Sequence, residues 1–231
     1  VRHWIDFNAV FSAGSHRYRN LRPQATTVPK HRAGSIVMWP WEHLVFGYLL
    51  YSVGKRAVRG ESPMEHETYA LALATQLPDL IDKPLAWTFD VLPSGISLAH
   101  SLTFAVPCCL LIGAFASRLS MPTAGISFGV GYGSHLVGDS LYPLFTGGEA
   151  ATTFLFWPFI SRQPIERTAF LAEASRLFAD FQTFLATPRG QAYLLIECIV
   201  VALVLALWTW DGRPGTGFLK SPREVLRRVR S

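Results

Sequence analysis

The chain has 231 residues, of which 50% are hydrophobic and only 16% charged, with a formal net charge of +5. Soluble globular domains carry about 25% charged residues, so this composition argues against one and points to lipid. The positive surplus sits in residues 1–37, where Arg2, Arg17, Arg19, Arg22, Lys30 and Arg32 face Asp6 alone, so the remainder is neutral and no nucleic-acid partner is expected.

Residues 1–37 lack both an apolar signal-peptide core and hydrophobic periodicity, so they read as a disordered extension. Met38 directly precedes the first hydrophobic segment and reads as the natural start. Four stretches approach the roughly 20 apolar residues that cross a bilayer: about 68–87, 96–117, 123–145 and 191–210. Trp41–Val53 is a shorter fifth, anchored by Trp39 and Trp41. Between the fourth and fifth spans, FLFWPFI is expected to dip into the interface. Ile165–Leu185 carries an apolar stripe with Arg167, Glu173, Arg176 and Asp180 between, as in an amphipathic surface helix. The expected fold is therefore all-α: a polytopic transmembrane bundle of about five spans over residues 38–210, with a basic tail at 211–231.

Basic clusters at Lys55, Arg56 and Arg59, at Arg118, and from Lys220 to Arg230 alternate as cytoplasmic loops should. Five crossings then leave the carboxyl terminus cytoplasmic, in a cell (inner, cytoplasmic) membrane. Cys108, Cys109 and Cys198 have no CxxC spacing and read as packing residues.

Ionisable side chains within spans cost about 3 kcal/mol or more each and mark function by default. WPWEHLVFGYLL carries Glu42 and His43, LPDLIDKPLAW carries Asp79, Asp82 and Lys83, SLAHSLTFAV carries His100, and GYGSHLVGDSLYP carries His135 and Asp139. The spacing of four puts His135 and Asp139 on one helical face, as the spacing of three does Asp79 and Asp82. Pro78 and Pro84 bracket the acidic pair and free backbone carbonyls there. Gly131, Gly133 and Gly138 allow close helix approach. The charge-derived orientation gives His43, Asp79, Asp82, His100, His135 and Asp139 one common outer depth. No polar group is expected on the inner half of these helices. Glu42 reads as a solvated helix-start residue.

Imidazole and carboxylate without thiolate suit catalytic zinc, or manganese or iron, better than a closed structural zinc site. One metal with carboxylates behind the imidazoles, or two metals, both satisfy the residue set. Water activated by a divalent cation, with a carboxylate shuttling its proton, would make the chemistry hydrolytic.

In their order, WPWEHLVFGYLLYS, LPDLIDKPLAW, SLAHSLTF, GYGSHLVGDSLYPLFT and FLFWPF resemble the YdjM-type (LexA-regulated) family of membrane-bound metal-dependent hydrolases, over about Met38 to Ile160. The ligand order also resembles that of zinc-dependent phospholipases C and fungal single-strand nucleases. The resemblance implies His43, Asp79, His100, His135 and Asp139 as metal ligands and Asp82 as ligand or base, with pairing to Lys83 as the alternative for Asp82. It departs from those phosphoesterases in lacking a second HxxxE or HxxxD pair. The expected function is a membrane-bound, phosphoesterase-like hydrolase at the outer face, acting on a phosphoester such as a lipid-linked phosphate. An ion- or proton-coupled transporter and a noncatalytic membrane scaffold are the alternatives.

Overall fold

The computed structural model describes residues 37–160 and 169–217. The extension up to residue 36, the tail beyond 217, and Ile165 to Thr168 of the expected surface helix lie outside the described residues.

Six α-helices and a short 3-10 turn at Thr153–Phe156 form an all-α structure, with no strand among the described residues. Helix α1 spans Pro40–Arg59, with Pro40 in the first helical position, where a missing N–H costs nothing. The Glu42 carboxylate accepts the Trp39 N–H at 2.5 Å, so this residue caps the helix rather than meeting solvent. Gly60, at φ +69°, closes α1 in the left-handed region that favours glycine. Helix α2 spans Glu65–Trp87 and continues through Pro78 and Pro84.

Helix α3, Leu102–Arg118, begins later than the apolar run suggests. Ser101 Oγ accepts the Phe104 N–H at 3.3 Å and fixes the start, leaving residues 96–101 as a non-helical approach. Helices α4 and α6 span Pro122–Thr146 and Pro188–Trp210; between them α5, Phe170–Leu185, is the described part of the amphipathic segment.

Helices α2 and α4 form the central pair, with α1 and α3 packed on them, α6 against α1, and α5 against α6 and α2. The chain alternates direction: Lys55 near the end of α1 meets Glu67 near the start of α2, and Arg56 meets Asp211 just after α6. Two glycines set the closest approaches. A Cβ on Gly131 would stand 2.8 Å from the Leu71 carbonyl oxygen, and one on Gly47 would stand 2.6 Å from Thr75 Cγ2. Gly133 meets nothing within 4 Å and Gly138 faces the Met38 side chain ahead of α1, so of the three glycines Gly131 alone has the expected role in helix approach.

The distribution of polarity is inverted relative to a water-soluble bundle. His43, Ser52, Glu67, Thr75, Asp82 and Ser127 are buried, while Leu110, Leu111 and Phe115 of α3 and Leu195 and Leu203 of α6 are each more than 60% exposed. Helix α6 is the one described helix long and apolar enough to cross a membrane by length and composition. Helix α3 is apolar but has 17 residues, about 25 Å at the helical rise, short of a hydrocarbon core of about 30 Å. Helices α1, α2 and α4 carry the inward-facing polar residues, such as His43, Asp82 and His135.

The helix halves expected to be free of polar groups carry several. Lys55 Nζ bonds both Glu67 oxygens, at 3.0 and 2.8 Å, in a buried pair. Asp211 accepts from Tyr48 Oη at 2.7 Å, Ser52 Oγ at 2.6 Å and Arg56 Nε at 2.9 Å, and Glu65 accepts the Gly215 N–H at 2.7 Å. Residues 211–217 are thereby tied to the helices. The sequence signal for Lys55 and Glu67 was ambiguous because each stands near a helix end, where a charge is ordinarily solvated.

Gly131→Ala forces the α2–α4 contact apart and is expected to cost about 1–3 kcal/mol, as overpacking does. Gly133→Ala faces open space and should be neutral or stabilising by up to about 1 kcal/mol. Thermal unfolding of the two variants in detergent checks the contrast; equal effects would refute the assigned contact.

Candidate metal centre

Alternating helix direction brings residues distant in sequence to one end of the bundle: the start of α1, the second half of α2, the approach to α3 and the second half of α4. His43, His100, His135 and Asp82 are essentially inaccessible, whereas the Asp79 and Asp139 side chains keep about a tenth of their surface.

His135 Nδ1 lies 2.8 Å from the carbonyl oxygen of Thr75, in the α2 turn that Pro78 loosens. A carbonyl only accepts, so Nδ1 carries the hydrogen and Nε2 presents a lone pair. His100 Nδ1 stands 2.8 Å from Asp82 Oδ2, which fixes the same tautomer. The two Nε2 atoms then face each other at 3.1 Å. Asp139 Oδ2 lies 3.2 Å from His135 Nε2 and 3.3 Å from His100 Nε2, and Asp79 Oδ1 lies 3.5 Å from the latter. Four atoms of metal-ligating type thus converge on one point.

His43 joins from α1. Its ring stacks on His135 with centroids 3.8 Å apart and planes 15° from parallel, and its Nε2 lies 3.5 Å from Asp139 Oδ1. Its Nδ1 is buried without a partner. A Cβ on Gly138 would stand 2.7 Å from Met38 Sδ, so the glycine makes room for the Met38 side chain, and the His43 ring lies beside it at ordinary contact distance.

Two triads offer one ligand atom per residue within 4.8 Å of one another: His43, His135 and Asp139, and Asp79, His100 and His135. The residues therefore fit a cation, since facing lone pairs and carboxylates repel without one. Both triads use His135, whose Nδ1 is already occupied; one remaining lone pair serves one ion.

Asp82 stands behind this convergence. Its oxygens accept the Ser97 N–H at 2.7 Å, the Ala99 N–H at 2.9 Å and the His100 N–H at 3.3 Å, besides His100 Nδ1. Such a carboxylate orients an imidazole and raises its basicity. Lys83 pairs with Asp79, at 2.5 Å, and not with Asp82. The helical period explains this, because residues four apart are neighbours and adjacent ones are not. The backbone donors of 97–100 and the Thr75 carbonyl carried no side-chain signal in the sequence.

A cavity of about 150 Å³ reaches Asp139 and is lined by Lys83, Trp87, Glu173 and Arg176. Helix α5 supplies the last two, with Arg176 held by Glu173 and, at 3.0 Å, by Asp180. Nothing in the sequence tied α5 to the site.

A family model described as YdjM inner membrane protein matches residues 38–213. The chain belongs to this family. The match takes in every residue of the convergence described above, and begins at Met38. No curated protein and no solved structure gives a match. For this YdjM family member, membership gives an inner membrane setting consistent with the apolar α6.

Asp82→Asn turns an amide toward backbone N–H donors and is expected to weaken divalent-metal binding by about 10- to 100-fold, through the loss of an orienting carboxylate. Unpaired donors should also lower stability by about 1–3 kcal/mol. Metal titration followed by calorimetry checks both; unchanged affinity would remove Asp82 from its positioning role.

Proposed function

We propose that the protein is a multi-pass, membrane-embedded, metal-dependent hydrolase of phosphoesters, with one divalent ion, zinc or else manganese or iron, held by His135, His100, Asp139, Asp79 and His43. The observation that carries the reading is the 3.1 Å approach of two imidazole nitrogens whose other nitrogens are both committed as donors. A bound divalent cation would supply Lewis acidity and bring the acidity of water toward neutral pH.

The chain's own groups account for the rest. Asp82 holds His100 in register, Thr75 holds His135, and Lys83 holds Asp79. Lys83 and Arg176 line the cavity beside Asp139 and suit an anionic phosphoryl group. The Asp139 oxygen not spent on the ion takes the proton of the attacking water. The water oxygen bonds to phosphorus, the ester P–O bond breaks, and the proton passes to the departing oxygen. In the topology read from the basic loops, α1 to α4 and α6 each cross the membrane. The centre then lies toward the outer face and the carboxyl terminus is cytoplasmic.

The buried Lys55–Glu67 pair at the opposite end favours a second reading, an ion- or proton-coupled transporter. Against a continuous path, Leu71 and Ala74, both fully buried, stand between Glu67 and Asp79 on α2.

Detergent-purified protein is expected to retain close to one divalent ion per chain, read by elemental analysis. His135→Ala should lose the ion and at least about 100-fold in phosphoesterase rate, on the scale of a removed catalytic component. Metal-free wild-type protein whose activity is unaffected by His135→Ala would refute the hydrolase reading. Ion flux in liposomes that survived His135→Ala but not Glu67→Gln would support transport instead.

A further inference from the structure

A second cavity, of about 410 Å³, lies between α1, α4 and α6, with Val45, Phe46, Leu141, Ala192 and Ile196 among its walls. Its size falls in the range of ligand pockets, roughly 300–1,000 Å³. At about 30 Å³ per water-sized group it takes on the order of 14 heavy atoms, one hydrocarbon chain and not two. One wall is α6, the helix apolar enough to cross a membrane, so the medium beside the cleft is hydrocarbon.

Two features set this cleft apart from a gap filled by passing lipid. Met38 and Tyr142 line both this cavity and the smaller one that holds Lys83, Arg176, Glu173 and Asp139, so an apolar chamber and a charged one adjoin beside the metal centre. Glu42 and Glu197 also line the apolar cavity, and each has a buried Oε1 with no hydrogen-bond partner. A buried acceptor without a donor is destabilising and calls for a ligand that brings one. Glu42 is 4% exposed.

We infer that the substrate is a single-chain anionic amphiphile, whose hydrocarbon chain fills the α1–α4–α6 cleft, whose hydroxyl or amine meets Glu42 or Glu197, and whose phosphate-type head enters the Lys83–Arg176 chamber. This rests on the hydrolase reading for what happens to the head. The binding geometry stands apart from turnover. Chain length then sets KM, and the bond cleaved lies at the junction of the two chambers.

The test uses the full chain in phosphatidylcholine nanodiscs and a lysophosphatidic acid probe with a photoactivatable group in mid-chain. Mass spectrometry should find Val45, Leu141 and Ile196 labelled about tenfold more than Leu110 and Leu111 on the outward face of α3, a preference of about 1.4 kcal/mol. Ala192→Trp and, separately, Leu141→Trp fill the cleft and should abolish that preference. Leu111→Trp should leave it intact, which guards against misfolding as the cause. Even labelling of cleft and outward face would overturn the proposal, as would equal cleft labelling by a monoacylglycerol probe lacking the phosphate. Labelling requires no hydrolysis, so His135→Ala should retain it. Cleft labelling in a protein that binds no metal would sink the hydrolase reading and leave the amphiphile site standing.

Discussion

Two imidazole nitrogens are held 3.1 Å apart, with carboxylate oxygens on either side and the other nitrogen of each ring already donating. Such an arrangement is repulsive unless a cation or a shared proton occupies it, and it persists only if the surroundings over-determine it. They do so through hydrogen bonds made elsewhere on each ring: the Thr75 carbonyl fixes His135, and Asp82 fixes His100 while itself gripped by three backbone N–H groups. The local backbone of two elements, the proline-loosened turn of α2 and the non-helical approach to α3, is thereby tied to the tautomers of two side chains.

The same demand shapes the bundle. Polar ligands need a buried interior, and helices bring buried atoms this close only where small residues let backbones approach, as Gly131 does against Leu71. With polar groups inside, the apolar residues of α3 and α6 turn outward, the distribution expected where lipid rather than water is the surrounding solvent. Stability at the far end comes from different chemistry, the Lys55–Glu67 pair and the Asp211 acceptor hub, which ties the end of α6 to α1. Site and anchor stand at opposite ends, with buried Leu71 and Ala74 between them on α2.

Legibility in the sequence followed periodicity. His135 with Asp139, and Asp79 with Asp82, could be placed on shared faces because helical spacing is rigid. Alternation of basic loops predicted that His43 and His100 would lie near them, and in the structure all six residues gather at one end of the bundle. The distinct task of Asp82 could not be read, since its partners are main-chain amides of residues 97–100. Those amides became available only because Ser101 delays the start of α3. Glu42 misled for a related reason: an acidic residue at a helix start is ordinarily solvated, and here its burial follows from α4 and α6 closing over α1.

The sequence by itself determined the helical class, the lipid-directed composition, the order of the elements and the residues able to bind a cation, because these depend on local period and residue chemistry. Only the tertiary structure decided which nitrogen of each histidine faces inward, that Arg176 of α5 lines the chamber beside Asp139, and that an apolar cleft adjoins it. Those features are contacts between segments distant in sequence, as where Glu42 and Glu197 line one cleft. They arise from how helices pack, and neither spacing nor propensity along the chain encodes the distance between two packed surfaces.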